Sequence, residues 1–419
     1  MVHEALGERV QIPGLDPEDL PLHGYYRSLE HLNSIKGAVE KAVHLRVADL
    51  FNRDVSVVFY DLTSTYFEGK GCSTARHGYS RDHRPDLVQI QLGLLVDGDG
   101  VPVAHEVFPG NVRDCCTVLD ALERLQRDFE VRRCVFVGDD CMSTAENLRQ
   151  IAARGYEYIT SLSLRHSKTG KSLLESRPPL RAFETLLKNL RVCPMRTTED
   201  GVRYIGSYNP FRAVSNREHR TRRMRECVAG LRELQASAKP QAPRRDVVQL
   251  AAAVLKRTHC NAFFTLGQND QGVLTWKLDS RALRLERAQD GLTVLVTNSR
   301  TLTDGEVALG YRQLWRVENA FRHLKDPIRL RPIRHWNDAR VLGHVFVCVL
   351  AYMLERLMDL RLQRAGLAMT ARAAIRKLKT LKVSTLSLED RQVRRRSEIT
   401  TPQSQVLAAV GVHTVPEIW

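Results

Sequence analysis

The 419-residue chain contains no Cys-X-X-Cys pair. Its nine cysteines, at positions 72, 115, 116, 134, 141, 193, 227, 260 and 348, show no paired spacing. An odd count without a framework excludes a disulfide scaffold and a cysteine-based zinc site, and implies reduced thiols in the cytosol. The opening residues, "MVHEALGERVQIPGLDPEDL", lack the apolar core of a secretory signal. The longest apolar run, "VLGHVFVCVLAYML" at 341–354, contains His344 and is too short for a membrane span. The chain shows no internal repeat, and the first fifty residues hold no complete helix-turn-helix. Acid is in short supply: 48 Asp and Glu stand against 63 Lys and Arg, for a net charge of +15 and a pI near 9.6. Such a surplus suits a polyanionic partner, because each cation set against a phosphate releases a condensed counterion. A soluble, cytoplasmic protein with no membrane segment is expected. At 43% hydrophobic residues a sizeable core is available, and the length allows one large domain with an insertion or two to three ordinary ones.

The patterning divides the chain. Leu32, Ile35, Val39 and Val43 recur at helical spacing. An apolar, β-rich run from Val55 to Tyr60 ends at Asp61 in "VVFYDLTSTYFEG". Two strand-like runs then flank "DGDG", which predicts a hairpin. A helix over 118–129, a strand "CVFVGDD" ending on Asp139, a helix near 143–154 and a strand "YEYITSLS" follow. This order predicts an α/β fold, a mixed sheet with flanking helices. Between 165 and 290 the chain turns polar and basic, with a linker-like "ASAKPQAPRR" at 236–245 and strand-like "CNAFFTLG" and "GVLTWKLD". This stretch reads as a mostly β insertion. "GLTVLVTNS" resumes the apolar pattern, and a long helix starts near Asp304. From Asn337 onward the chain reads as helices, with "ARAAIRKLKTLK" and "EDRQVRRR" adding positive charge. The expected division is 1–54 N-terminal helical region, 55–164 first part of the core, 165–290 insertion, 291–345 second part of the core, and 346–419 basic helical region.

Three carboxylates stand out. A lone aspartate at a strand end can cap a helix, close a turn or hold a metal ion, and this applies to Asp61 and Asp139 alike. The third is Glu318 on "YRQLWRVENAFRHLKD" (311–326), where Leu314, Val317, Phe321 and Leu324 make an apolar stripe. Tyr311, Glu318 and Lys325 recur every seven residues, and so lie on nearly one line of a single helix. The bland alternative is a solvated Glu–Lys face. Taken together, the three acids supply the hard oxygen ligands that phosphodiester chemistry with two divalent cations requires.

These stretches resemble a known family. "YDLTSTYFEG", "GYSRDHRPDLVQIQLGLLVDGDGVPVAHEVFPGN", "VFVGDD" and "YRQLWRVENAFRHLKDPIRLRPIRHWNDARVLGHV" are similar, in order and over about two-thirds of the chain, to the blocks of insertion-sequence DDE transposases of the Tyr-Arg-Glu-Lys (YREK) signature group. The resemblance implies a ribonuclease-H-like core interrupted by a mostly β insertion. It implies Asp61, Asp139 and Glu318 as catalytic, metal-binding residues, with Mg²⁺ as cofactor and Mn²⁺ as substitute. It also implies metal-dependent cleavage and strand transfer at the ends of a mobile element. Double-stranded DNA is the implied partner, bound by a dimer, and the implied location is the bacterial cytosol at the nucleoid. Tyr311, Arg322 and Lys325 would face the DNA backbone, and Trp276 would stack on an extruded base; an ion pair for Lys325 and a core position for Trp276 stay open. The loop "YSRDHRPD" (79–86), with Asp82, His83 and Asp86, would position DNA by hydrogen bonding rather than bind metal.

Two departures bear on activity. Leu314 stands at the signature's Arg position, between Arg312 and Arg316. "GDDCM" places Asp140 and Cys141 where the family more often has a basic residue and glycine. Asp140 either adds negative charge beside the metal or points to the other face, as strand neighbours do. The family's chains are often longer before the first Asp, and this N-terminal region is expected as a shortened DNA-binding part. The competing readings are a catalytically impaired DNA-binding relic and a metal-dependent nuclease on the same fold.

Overall fold

The computed structural model describes residues 21–51, 57–129, 131, 133–164, 167–237, 244–269, 272–388 and 391–415. They form a mixed α/β protein, and the chain divides into two compact units, Met1–Phe136 with Gln313–Trp419, and Val137–Arg312. Most of the linker read at 236–245 and all of residues 1–20 lie outside the described residues.

The first unit opens with α1 (Leu22–Ser34) and α2 (Lys36–Phe51), then β1 (Val57–Tyr66), β2 (Gln89–Asp97), β3 (Pro102–Pro109) and α3 (Val118–Arg127). The predicted hairpin is there: β2 pairs antiparallel with β3, and β1 pairs antiparallel with β2 on its other side. Its turn is built by Asp97, whose Oδ1 accepts from Asp99 N at 2.9 Å and Val101 N at 3.0 Å. Gly100 takes φ +78°, a left-handed conformation that glycine adopts without a Cβ penalty. β1 corrects one expectation: it does not end at Asp61 but runs five residues further, because Thr63, Thr65 and Tyr66 are themselves good strand formers. Asp61 is therefore mid-strand, opposite Leu94 of β2.

β4 (Val135–Gly138) carries the chain from the first unit into the second, which continues with α4 (Ala145–Ala153), β5 (Glu157–Leu162), α5 (Lys168–Glu175), β6 (Glu184–Leu187), β7 (Leu190–Thr197) and β8 (Arg203–Tyr208). Then come α6 (Pro210–Ser237), α7 (Arg244–Arg257), β9 (Phe264–Gln268), β10 (Leu274–Leu278), α8 (Ser280–Ala288), β11 (Leu292–Thr297) and α9 (Asp304–Arg312). Within this unit β5, β11, β8, β7 and β6 pair in that order, each pair antiparallel. The stretch 165–290 is not mostly β: α6 alone spans 28 residues. It packs with α7 around Cys227, Leu231, Leu255 and Phe263, and β9 and β10 close that core. Most of the basic run "NREHRTRRMRE" is thus the outer surface of a long helix, while Arg220 is buried and paired with Asp290 at 2.6 Å and Met224 packs on the core.

The chain returns to the first unit with α10 (Trp315–Lys325), α11 (Asp338–Arg364), α12 (Ala371–Leu378), the antiparallel pair β12 (Val383–Leu388) and β13 (Arg391–Arg396), and α13 (Thr401–Ala409). Two further expectations are corrected here. The helix over 311–326 is two helices, broken at Gln313–Leu314, where three-residue bonds from Arg316 N to Gln313 O and Val317 N to Leu314 O replace the α-helical ladder. Residues 383–388 and 391–396 pair as two antiparallel strands rather than forming a basic helix, since Val383, Thr385 and Val393 favour strand.

α11 is 27 residues long and, by length and composition, apolar enough to cross a membrane. In this structure Val341, Val345, Phe346, Val349 and Tyr352 are buried, and the helix packs against α1, β3, α10 and α12. The α1 contact depends on Gly343, where a Cβ would stand 2.2 Å from Leu29 O and 2.8 Å from Leu29 C. Both are backbone atoms and cannot rotate away. Gly343→Ala is expected to cost about 1–3 kcal/mol through forced separation of the helices, read as a lower urea midpoint.

Candidate functional site

In the first unit, Asp61 is half-buried and its Oδ1 accepts from Leu62 N at 2.8 Å. Alternation along β1 puts Asp61 on the face opposite Tyr60. Tyr60 is buried and donates to Thr117 Oγ1 at 2.8 Å, and burial pushes its phenol well above the ordinary value. α10 packs on β1 and β2 through Val317, Ala320, Phe321 and Leu324. Leu314 just before it is also buried, at 7% exposure, so this position is part of the core. Glu318 and Arg322 lie on the exposed side of the same helix. Lys325, at its last turn, is tied to Asp82 Oδ1 at 2.8 Å. Burial holds its ammonium pKa below the ordinary lysine value, with Asp82 opposing that shift.

In the second unit, Asp139 follows β4 directly and caps a short 3₁₀ turn, Asp140–Met142. Its Oδ1 accepts from Asp140 N at 2.8 Å, Tyr311 OH at 3.2 Å and Ser161 Oγ at 3.3 Å. Its Oδ2 accepts no hydrogen bond from the described residues, so one oxygen is held and the other is presented. Burial and the neighbouring Asp139 charge push the Tyr311 phenol well up, which keeps it a proton donor toward Asp139. Thr160 supports the same turn by donating to Asp139 O at 3.2 Å. Asp139, Asp140, Ser161, Arg212, Thr293 and Tyr311 line an open cleft.

Asp140 does not turn away to the opposite face. The strand has already ended, and one ligand atom each from Asp139, Asp140 and Cys141 lie within 4.8 Å of one another. The hard donors among them are the two carboxylates; Cys141 is exposed and suits a soft metal rather than Mg²⁺. Trp276, on β10, is half-buried and packs against the Cys227–Leu274 core of its own unit. Tyr311 and Glu318 stand on different helices, α9 and α10, and so do not share one helical line. The structure also brings in three residues that sequence reasoning missed in these roles. Ser161 and Tyr311 hold Asp139, and Asp82 holds Lys325. Only Asp82 had a signal, its place in a dense charged loop.

Residues 53–354 match the family model for the transposase DDE domain. No curated protein matches the chain. Among solved structures, the cryo-EM structure of the piggyBac transposase synaptic complex with hairpin DNA is similar at a TM-score of 0.40 and 8% identity, over 77% of this chain and 51% of that one. The chain thus spans about half the length of that structure's chain. With the match running from just before β1 into α11, the chain belongs to the transposase DDE domain family.

Proposed function

We propose that this protein is a DNA transposase of the YREK signature group, with a ribonuclease-H-like core in 55–164 and 291–345. Residues 165–290 are its insertion, and 1–54 and 346–419 its flanking regions. It cuts and joins DNA at the ends of an insertion sequence, as a dimer on DNA in the bacterial cytosol. The observation that carries this reading is the family match over 53–354, a span that contains Asp61, Asp139 and Glu318, joined to an Asp139 carboxylate whose one oxygen is fixed by three donors.

Asp61, Asp139 and Glu318 would hold Mg²⁺, or Mn²⁺ in its place. The donor chemistry fits, since carboxylate oxygens are the ligands hard cations take, and Asp139 offers one such oxygen. When bound, the cations supply a Lewis acid at phosphorus and a lowered pKa for the attacking oxygen. The chain's own part is positioning. Tyr311 and Ser161 keep Asp139 from rotating, Asp61 is set by the rigid β1–β2 pair, and Glu318 is presented by a helix anchored through its apolar face. Lys325 and Arg322 supply positive charge toward the DNA backbone.

The relic reading is favoured by one pair of observations, the buried Leu314 and the close Asp140 carboxylate. The deciding experiment incubates wild-type protein with supercoiled and end-bearing duplex DNA, with Mg²⁺, with Mn²⁺ and without metal. Metal-dependent nicking with joined products is the expected result. Binding without cutting in either metal establishes the relic, and cutting without joined products a nuclease. Tyr311→Phe removes one hydrogen bond to Asp139 and is expected to slow cutting about tenfold, the equivalent of ~1.4 kcal/mol, with no change in the urea midpoint beyond a few tenths molar.

A further inference from the structure

We propose that Lys325 and Arg331, joined through the buried carboxylate of Asp82, form a binding site for a nucleic-acid phosphate, in which Arg331 contacts the phosphate and Asp82 is a positioning residue. The proposal rests on the DNA-acting reading above and adds a residue outside the signature.

The arrangement begins with one crowded oxygen. Asp82 is 2% exposed, and its Oδ1 receives both Lys325 Nζ, at 2.8 Å, and the Arg331 guanidinium. Its Oδ2 is buried and meets no donor among the described residues. A pair evolved for stability alone would spread two cations over two oxygens; here two positive charges share one acceptor and leave the other bare. Among the described residues neither Lys325 nor Arg331 meets a further acceptor. An ammonium has three donors and a guanidinium five, so most are unspent. A net positive pair with idle donors is matched by an anion with several oxygens, and a phosphodiester is that anion.

The surrounding chain holds these groups with more constraint than a surface ion pair needs. The Asp82 loop is fastened by Arg81 N to Ser64 Oγ at 2.9 Å, by Gln89 Nε2 to Tyr79 O at 3.0 Å, and by the Arg81–Asp114 ion pair at 2.6 Å. On the other side, buried Leu330 and Ile333 pin the segment bearing Arg331. Ile333 N donates to Tyr66 O and Glu68 N donates to Ile333 O, both at 3.0 Å. Ser64, Tyr66 and Glu68 all belong to β1 or the residues just after it, downstream of Asp61. Two non-glycine residues beside the cluster take left-handed backbone, His83 at φ +57° and Arg329 at φ +65°. Such conformations cost energy and persist at ligand clamps, where the surroundings over-determine them. Arg331 is 32% exposed, against 12% for Lys325, so its guanidinium is the group an incoming backbone meets first. Seven residues of α10 separate Lys325 from Glu318, a rise of about 10 Å. The phosphate held here is therefore close along the strand to the proposed cutting point. Asp82 keeps both cations in place before DNA arrives, which removes the cost of ordering two long side chains at binding.

The test measures binding of the full chain to a random-sequence duplex over a range of salt, for wild type, Arg331→Gln and Asp82→Asn, with urea midpoints for each. Arg331→Gln is expected to lower the slope of log K against log salt by about 0.9, the loss of one phosphate contact, at an unchanged midpoint. Asp82→Asn removes a competing negative charge, so its slope is expected to stay at or above wild type while end cleavage falls about tenfold. A merely structural Asp82 would lower affinity and midpoint together, and that result overturns its positioning role. Should Asp82→Asn not fold, Arg331→Gln alone decides. Wild-type slope and affinity in Arg331→Gln overturn the phosphate site while leaving the transposase reading intact. No duplex binding by wild type sinks both.

Discussion

Asp61→Asn and Glu318→Gln are each expected to reduce cutting of end-bearing DNA by about a thousandfold or more, equivalent to ~4 kcal/mol of barrier, while duplex affinity stays within about threefold. The reasoning turns on what each change leaves alone. An asparagine at 61 still offers an oxygen to Leu62 N, and the β1–β2 pairing through Leu94 uses backbone atoms only. Glu318 is exposed, so its amide disturbs no packing. What both lose is the negative charge a hard cation requires. Glu306→Gln serves as the control, because that exposed carboxylate only caps α9 through Thr303. Equal loss in all three variants would mean a general charge effect; full activity in either Asp61→Asn or Glu318→Gln would remove that residue from the chemistry.

Glu40→Ala should give the largest fall in stability, about 3–5 kcal/mol, the range for breaking a buried ion pair from one side. Glu40, on α2, is 7% exposed. One oxygen lies 2.8 Å from His105 Nδ1 on β3 and the other 2.5 Å from the Arg124 guanidinium on α3. Lys36 adds a second cation at 3.9 Å, while burial holds the His105 imidazole pKa below its ordinary value. Removing the carboxylate strands His105, which is almost wholly buried and stacked on Phe346. Arg124 keeps Glu106 and Asp128. Burial alone would raise the Glu40 pKa, but His105, Lys36 and Arg124 together hold it below the ordinary value. A depressed carboxylate contributes its full stability above the unfolded pKa of about 4.3. That contribution is lost as the pH falls through the lower, folded pKa. Urea midpoints at neutral pH and on the acid side should therefore converge for wild type and Glu40→Ala as acidity rises. Parallel curves would show that the network contributes nothing through its charge.

Local chemistry made much of the fold legible. The "DGDG" hairpin, β5, β11 and the helices after β3 and β4 followed from apolar period and turn residues, because nearby residues decide them. What stayed hidden was settled at long range or by weak local signals. The break at Gln313–Leu314 carries neither proline nor glycine, and the apolar stripe runs through it unbroken. The basic tail read as helix because its arginines were weighed more than Val383, Thr385 and Val393. At the site, Asp139 was legible as the residue after a strand. Its partners Ser161 and Tyr311 come from elements 22 and 172 positions away, and Asp82 meets Lys325 across 243. Spacing within one element cannot disclose such pairs.

The broken helix has a consequence for how a signature of this kind tolerates change through descent. Tyr311 answers to α9 and Glu318 to α10, so the interval between them is a turn joining two helices rather than a helical repeat. Substitutions at Gln313 that keep the turn should drift freely, and Leu314 should drift among apolar residues. A single inserted or deleted codon there would leave each helix folded on its own anchors, so length as well as identity can change at this joint.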